Sequence, residues 1–296
     1  MAYIIDKANI YDGDKIKIKS IYVKDRRISA INDSFKRYHC MRMNADDFAL
    51  TPTYIMVDHS EGFGSDFLSF KSYFCEHFIS NGCTTIITSC SIQYKEDIPS
   101  SLKKKRTSLL SSPIDYVIGL SINLRNLTPE VIRQCERFKL PIIFVELDTE
   151  EVILEKPWGW IKAAMFPYNP VLVPKISPSE DPKKSKKLLK LWQNSMEKEK
   201  ITHISEEIKE KVPVQLKNLK KFGIYPKRGI LNIGGEVSYN LFPKITSFDR
   251  PEHISYDILK PYVTVYNGEV IYVNDQPIFC SGMGREIFIA KPGYFI

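Results

Sequence analysis

The chain has 296 residues, 43% of them hydrophobic, and a formal net charge of +7. This composition excludes a disordered or low-complexity protein and allows one large or two smaller domains with a substantial core. No stretch approaches the roughly 18 apolar residues of a membrane span, and Met1 to Lys7 carries no basic segment followed by an apolar run, so a cytoplasmic location with no membrane partner is expected. Six cysteines (Cys40, Cys75, Cys83, Cys90, Cys135, Cys280) stand without a CxxC pair and are expected to be free thiols. The positive charge concentrates in Lys103-Lys104-Lys105-Arg106 and in Lys183 to Lys200. No recognition module accompanies either run, so both are expected to be solvated surface, with no nucleic-acid partner.

In chain order, the first fifty residues alternate as short strands: Tyr3 to Ile5, Ala8 to Tyr11, Ile16 to Val23 and Ile28 to Ile31, with a turn at Asp12-Gly13. The character changes at Thr51. Tyr54 to Val57 is an apolar strand, Phe70, Phe74 and Phe78 have helical spacing within Phe67 to Ser80, and Thr84 to Thr88 is a compact strand. Strand, helix, strand is the order of a parallel unit. A second follows: Tyr116 to Leu120 as strand, a helix opened by Thr128 and Pro129, and Pro141 to Leu147 as strand. Between Lys156 and Lys221 the only further strand pattern is Val171 to Ile176. A helix from Ser179 or Asp181 to about Lys200 carries an apolar stripe of Leu188, Leu189, Trp192 and Met196. Asn267-Gly268 then sits between two β-branched runs as a hairpin turn.

Several passages together resemble one family. Leu50-Thr-Pro-Thr-Tyr-Ile-Met-Val-Asp-His-Ser60 is similar to the first-strand metal motif of the amidohydrolase superfamily, Val-Thr-Pro-Gly-Phe-Ile-Asp-x-His-x-His. Laid over it without a gap, the two histidine positions fall on Asp58 and Ser60. Ile4 to Ile31 resembles the opening β unit of the dihydropyrimidinase, hydantoinase and dihydroorotase branch. Phe78 to Ile87 resembles its second strand, and Phe222-Gly-Ile-Tyr-Pro-Lys-Arg-Gly229 its Phe-Gly-Leu-Tyr-Pro-Arg-Lys-Gly return. Val263 to Val273 and Gly282 to Pro292 resemble its closing β unit and tail.

The resemblance implies an α/β fold: a (β/α) TIM-like barrel plus a small β-sandwich built from the N- and C-terminal segments. Length implies that this barrel is incomplete or distorted. About 170 residues separate Thr51 from Phe222, room for five or six strand-helix units of roughly 30 residues, whereas a full barrel takes about 200 to 250 or more. The expected division is a composite β-sandwich domain with the C-terminal tail from 1–52 and 222–296, and a barrel-like domain from 53–221.

In the family, histidines, a carboxylated lysine and an aspartate hold one or two metals that generate hydroxide. This chain has five histidines, His39, His59, His77, His203 and His253, and no His-x-His. The bridging-lysine position falls on Phe144. Asp58 is the one catalytic candidate. Asp58, His59 and His77 form a substitute metal site only if an unconventional set converges, since alternation turns His59 away from Asp58 and Ser60. Asp148, Glu150 and Glu151 are an acid-base cluster or solvated carboxylates. Trp158 and Trp160 are a stacking platform or a hydrophobic plug.

The function expected from the resemblance is a catalytically degenerate dihydropyrimidinase-like protein, without a cofactor, that acts by binding or assembly. The collapsin response mediator proteins are the family precedent. The tail implies a homo-oligomer, dimer or tetramer, with a protein partner also possible. The alternative is a divergent zinc-dependent hydrolase of cyclic amides or other non-peptide C–N bonds.

Overall fold

The computed structural model describes residues 2–11, 16–64, 66–176, 181–243 and 260–293. The turn at Asp12-Gly13, Ser179 and His253 lie outside them. The N-terminal strands are β1 (Ala2–Tyr11), β2 (Ile16–Lys24), β3 (Arg27–Asn32), β4 (Met41–Asn44) and β5 (Phe48–Pro52). A parallel series follows: β6 (Tyr54–Asp58), α1 (Phe67–His77), β7 (Cys83–Ile92), α2 (Ile98–Ser108), β8 (Asp115–Asn123), α3 (Pro129–Phe138), β9 (Ile142–Leu147), α4 (Glu150–Glu155), α5 (Trp158–Met165), β10 (Val171–Ile176), α6 (Pro182–Glu199) and α7 (Leu216–Phe222). The chain then returns through β11 (Tyr239–Pro243), β12 (Val263–Tyr266), β13 (Glu269–Val273) and β14 (Gln276–Pro277).

Strands from both ends of the chain share one nine-stranded sheet, because β5 pairs antiparallel with β11 through Leu50 and Leu241. Its core is made by Ile5, Ile21, Val23, Leu50 and Val265. The hairpin between β12 and β13 turns at Asn267 and Gly268, φ 50° and 77°. Both central residues are left-handed, the conformation that suits the twist of a two-residue hairpin. A single residue, Thr53, separates β5 from β6, so the chain passes from this sheet straight into the second one.

The second sheet is parallel and curled, a half-barrel in the order β6-β7-β8-β9-β10. Each strand is buried on both faces. Met56, Ile86, Ile118 and Val145 meet the helices, while Ile55, Val57, Val117, Phe144 and Val173 form the inner face. The helices start where local chemistry predicts. Thr128 caps α3 by accepting from the Val131 amide, and Asp181 caps α6 by accepting from Lys183. Leu188, Trp192 and Met196 on α6 are fully buried, and the Trp192 indole donates to the Ile204 carbonyl at 3.0 Å.

A closed barrel has no edges, but five strands leave two. Residues 202–214 cover both. The Leu172 amide donates to Thr202 O at 3.1 Å and the Ile204 amide to Leu172 O at 2.9 Å along β10. On the other edge the Lys211 amide donates to Val57 O at 2.9 Å and the Val214 amide to Ile55 O at 2.8 Å. Ile204 and Val214, with Leu219, Phe222 and Ile224, then fill the inner face. One irregular segment thus closes the half-barrel.

The tail is bound to its own chain. The Gly284 amide donates to Ser112 O, Arg285 O accepts from the Tyr116 amide, and the Ile287 amide donates to Tyr116 O. A side chain at Gly284 would collide with the backbone of Ile114, so glycine is required for this approach.

The basic run at Lys103 to Arg106, expected to be solvated, is only partly so. It lies on α2, where Lys105 is buried and donates to Ser60 O at 2.8 Å. Arg106 forms a two-pronged ion pair with Glu286 of the tail at 2.8 and 2.9 Å. Helical periodicity turns only part of a four-residue basic run outward.

Candidate functional site

The carboxyl ends of parallel strands are where α/β sheets gather functional side chains. Alternation along each strand extends the inner row beyond its apolar residues. Past Val57 comes His59, past Ile87 comes Ser89, past Gly119 comes Ser121, past Phe144 comes Glu146, and past Val173 comes Lys175. These five polar residues ring the inner mouth.

Their contacts are specific. His59 Nδ1 lies 3.0 Å from Ser89 Oγ, and the His59 ring meets the Phe144 ring edge-on at 4.4 Å between centroids. Ser121 Oγ donates to Glu146 Oε1 at 3.3 Å, and Lys175 Nζ stands 4.0 Å from the same oxygen. Two acids of the closing segment join from the open side. Glu210 accepts weakly from the His59 amide at 3.5 Å, and Glu207 accepts from the Ile176 amide at 3.1 Å. Phe144 has room because residue 119 is glycine: a Cβ there would press on Ile142 O at 2.9 Å and on the Phe144 ring at 3.2 Å.

Burial pushes the His59 imidazole down to about 4, and the Lys175 ammonium acts in the same direction, against the opposing pull of Asp58. The ring is therefore neutral at physiological pH. A base this weak gives little driving force for taking the Ser89 proton, since general bases work best with a pKa near the operating pH.

The same shift gives a pH signature. The unfolded chain binds the His59 proton near pH 6.5 and the folded chain only near 4. Stability is therefore lost as pH falls between those values, by up to about 3 kcal/mol from this group. His77 and His203 are also lowered by burial and add in the same sense. A His59→Gln variant is expected to lose less stability than the parent between about pH 7 and about pH 4.5, read from denaturant midpoints at each pH.

Asp58, the sequence candidate for catalysis, is fully buried but faces the helices rather than the inner mouth. Its Oδ1 accepts from the Ser60 hydroxyl at 2.8 Å and the Ser60 amide at 3.1 Å, and its Oδ2 from the Tyr73 hydroxyl of α1 at 2.8 Å. Burial holds the Tyr73 phenol above its ordinary range. The alternation that separates His59 from Asp58 is present, but it is His59 that faces inward.

His77 lies on α1 with its ring 4.7 Å from that of Tyr73. Trp158 and Trp160 do not form a platform. Trp158 is buried in the helical layer, donating to Ile153 O at 2.9 Å and packing on Trp192, whereas Trp160 is 72% exposed. Asp148 accepts from Asn123 at 2.6 Å, and Glu150 pairs with Lys187 at 2.8 Å. Sequence reasoning missed Ser89, Ser121, Glu146 and Lys175. Extending the period-2 pattern past the end of each apolar run would have found them.

No protein-family model and no curated protein matches the chain. Solved structures do. A D-hydantoinase aligns with a TM-score of 0.68 at 12% identity, over 99% of this chain and 100% of that one. The dihydropyrimidinase from Brevibacillus agri aligns at 0.66 and 11%, covering 99% of each. The D-hydantoinase from Bacillus sp. AR9 aligns at 0.71 and 9%, over 98% and 99%. The chain has the hydantoinase fold.

The family resemblance implies a metal centre inside the barrel, and the described residues of the inner mouth do not assemble one. The inner mouth offers one imidazole, packed on the Phe144 ring, and one strand-borne carboxylate, 4.0 Å from the Lys175 ammonium. Among the described residues no three His, Cys, Asp or Glu side chains converge as a metal-binding group. Among them also, no helix is long and apolar enough to cross a membrane.

Proposed function

We propose that the chain is a dihydropyrimidinase-like member of the amidohydrolase superfamily that no longer uses metal catalysis and works by binding or assembly. One observation carries this reading. At the strand position where the family resemblance puts the bridging lysine stands Phe144, 1% exposed and packed on His59. An aromatic ring there supplies no ligand and excludes the water that metal hydrolysis consumes. The inward His59, held neutral, is left to position Ser89.

The reading includes self-association as a dimer or tetramer in the cytoplasm. Residues 284–287 of the tail are bound to their own half-barrel, so its outward side, where Phe288 is 52% exposed, is the part available to a second copy.

The test is metal analysis of protein expressed with added zinc, combined with hydantoin and dihydrouracil hydrolysis and light scattering of the eluted species. Substoichiometric metal, no ring opening above background and a dimeric or tetrameric mass are expected. Stoichiometric zinc that is lost in His59→Ala, together with ring opening, would instead establish a divergent hydrolase.

A further inference from the structure

The segment that closes the half-barrel rises along β10 from Leu172 to Ile176, crosses at the level of the inner mouth and descends along β6 from Val57 to Ile55. Its two arms are pinned by backbone bonds, at Leu172 on one side and at Val57 and Ile55 on the other. The crossing, residues 205–210, is held differently. Among the described residues it makes two hydrogen bonds to the strand ends, both through carboxylates: Glu207 accepts from the Ile176 amide at 3.1 Å and Glu210 from the His59 amide at 3.5 Å. Ile176 ends β10 and His59 follows β6, so both bonds lie at the mouth.

Glu206, Glu207, Lys209 and Glu210 are exposed, and Ile208 packs half-buried against the inner-face core. Bonds from exposed carboxylates compete with water, so the crossing opens at a lower free-energy cost than the arms. Lys211, where the descending arm begins, has φ 58°, a left-handed conformation that a side chain disfavours, so the closed form also holds strain at that end. With the crossing in place the mouth hydroxyls are shut off from solvent, Ser89 being 4% exposed and Ser121 1%. A solute reaches them only if part of the surrounding wall moves.

We propose that residues 205–210 are a gate. Release of Glu207 from Ile176 and of Glu210 from His59 swings the crossing outward on its pinned arms and admits a small polar solute to His59, Ser89 and Ser121. The sheet edges stay covered while the mouth opens. The gate operates whether or not the mouth holds a metal, so its failure would leave the metal-free reading untouched.

Ser89→Cys places a thiol in the mouth of the full-length protein for alkylation by iodoacetamide, with peptide mass spectrometry locating the label. Cys135, 0% exposed in the helical layer, is the internal reference for global unfolding. Alkylation at position 89 is expected to outpace that of Cys135 and to be insensitive to low denaturant, the mark of a local opening. Adding Glu207→Ala and Glu210→Ala is expected to speed it by about tenfold or more. Glu206→Ala removes the same charge from a residue of the crossing that makes no such bond, and is expected to leave the rate within about twofold. Hydrogen exchange of the unsubstituted protein reads the same motion: the Ile176 and His59 amides are expected to exchange faster than the Leu172 and Val214 amides at the pins. Alkylation at position 89 that tracks Cys135, or that Glu207→Ala and Glu210→Ala leave unchanged, overturns the gate. So does exchange at Ile176 and His59 no faster than at the pins.

Discussion

Replacing Asp115 with alanine is expected to destabilise the protein by about 3–5 kcal/mol, the cost of removing one member of a buried, hydrogen-bonded ion-pair network. Asp115 opens β8, is 1% exposed, and has both oxygens fully engaged. Oδ1 accepts from the Tyr266 hydroxyl at 2.6 Å and the Arg285 amide at 2.9 Å; Oδ2 accepts from Arg228 at 2.7 and 3.1 Å. One carboxylate thereby ties the half-barrel to the returning segment, to β12 and to the tail.

With the carboxylate gone, Arg228, whose side chain is 17% exposed, keeps Glu236 at 2.9 Å and the Lys227 carbonyl at 3.0 Å, and the Tyr266 hydroxyl and the Arg285 amide lose their acceptor. The effect comes from stranded partners rather than from the intrinsic strength of the pair, which desolvation largely offsets. Guanidinium unfolding of parent and variant reads the loss. A difference below about 1 kcal/mol would be that of an ordinary surface contact and would sink this account.

Phe144→Ala is expected to cost about as much, roughly 3–5 kcal/mol. The ring fills the centre of the inner face beside Val117, Ile142 and Val173, above the open backbone of Gly119. Collapse into the gap is resisted because residues 202–214 are pinned by backbone bonds on both sheet edges. The variant also exposes His59, whose pKa is expected to climb from about 4 towards its ordinary value. Imidazole proton shifts recorded against pH follow it directly. A destabilised variant whose His59 still titrates near 4 would show that the ring fills space without shielding the imidazole.

Much of the fold was legible before any coordinates. The Asn267-Gly268 turn, the Thr128 and Asp181 caps, the α6 stripe and the passage at Thr51 from antiparallel to parallel structure all rest on interactions between near neighbours in sequence. The aromatic residue at position 144 was likewise visible by its place in a strand.

The face of each strand was not legible in the same way. Alternation separates His59 from Asp58, but every strand of the half-barrel is apolar on both sides, so no asymmetry says which row points inward. Asp58, the catalytic candidate at a histidine position of the motif, is locked to Tyr73 and Ser60 in the helical layer. The inward ring of Ser89, Ser121, Glu146 and Lys175 passed unnoticed because each residue is unremarkable within its own strand. The basic run on α2 was misjudged because the partner of Arg106 is Glu286, 180 residues away.

The sequence by itself determined the local elements, their order and the absence of any His-x-His pair, since these depend on spacing, capping and residue type. The closing of the half-barrel, the inward position of His59 and the junction around Asp115 were decided only by tertiary structure. The reason is physical. Residues 202–214 have no periodicity to read, and their backbone groups find partners only once two distant sheet edges, on β6 and β10, have been brought to either side of them.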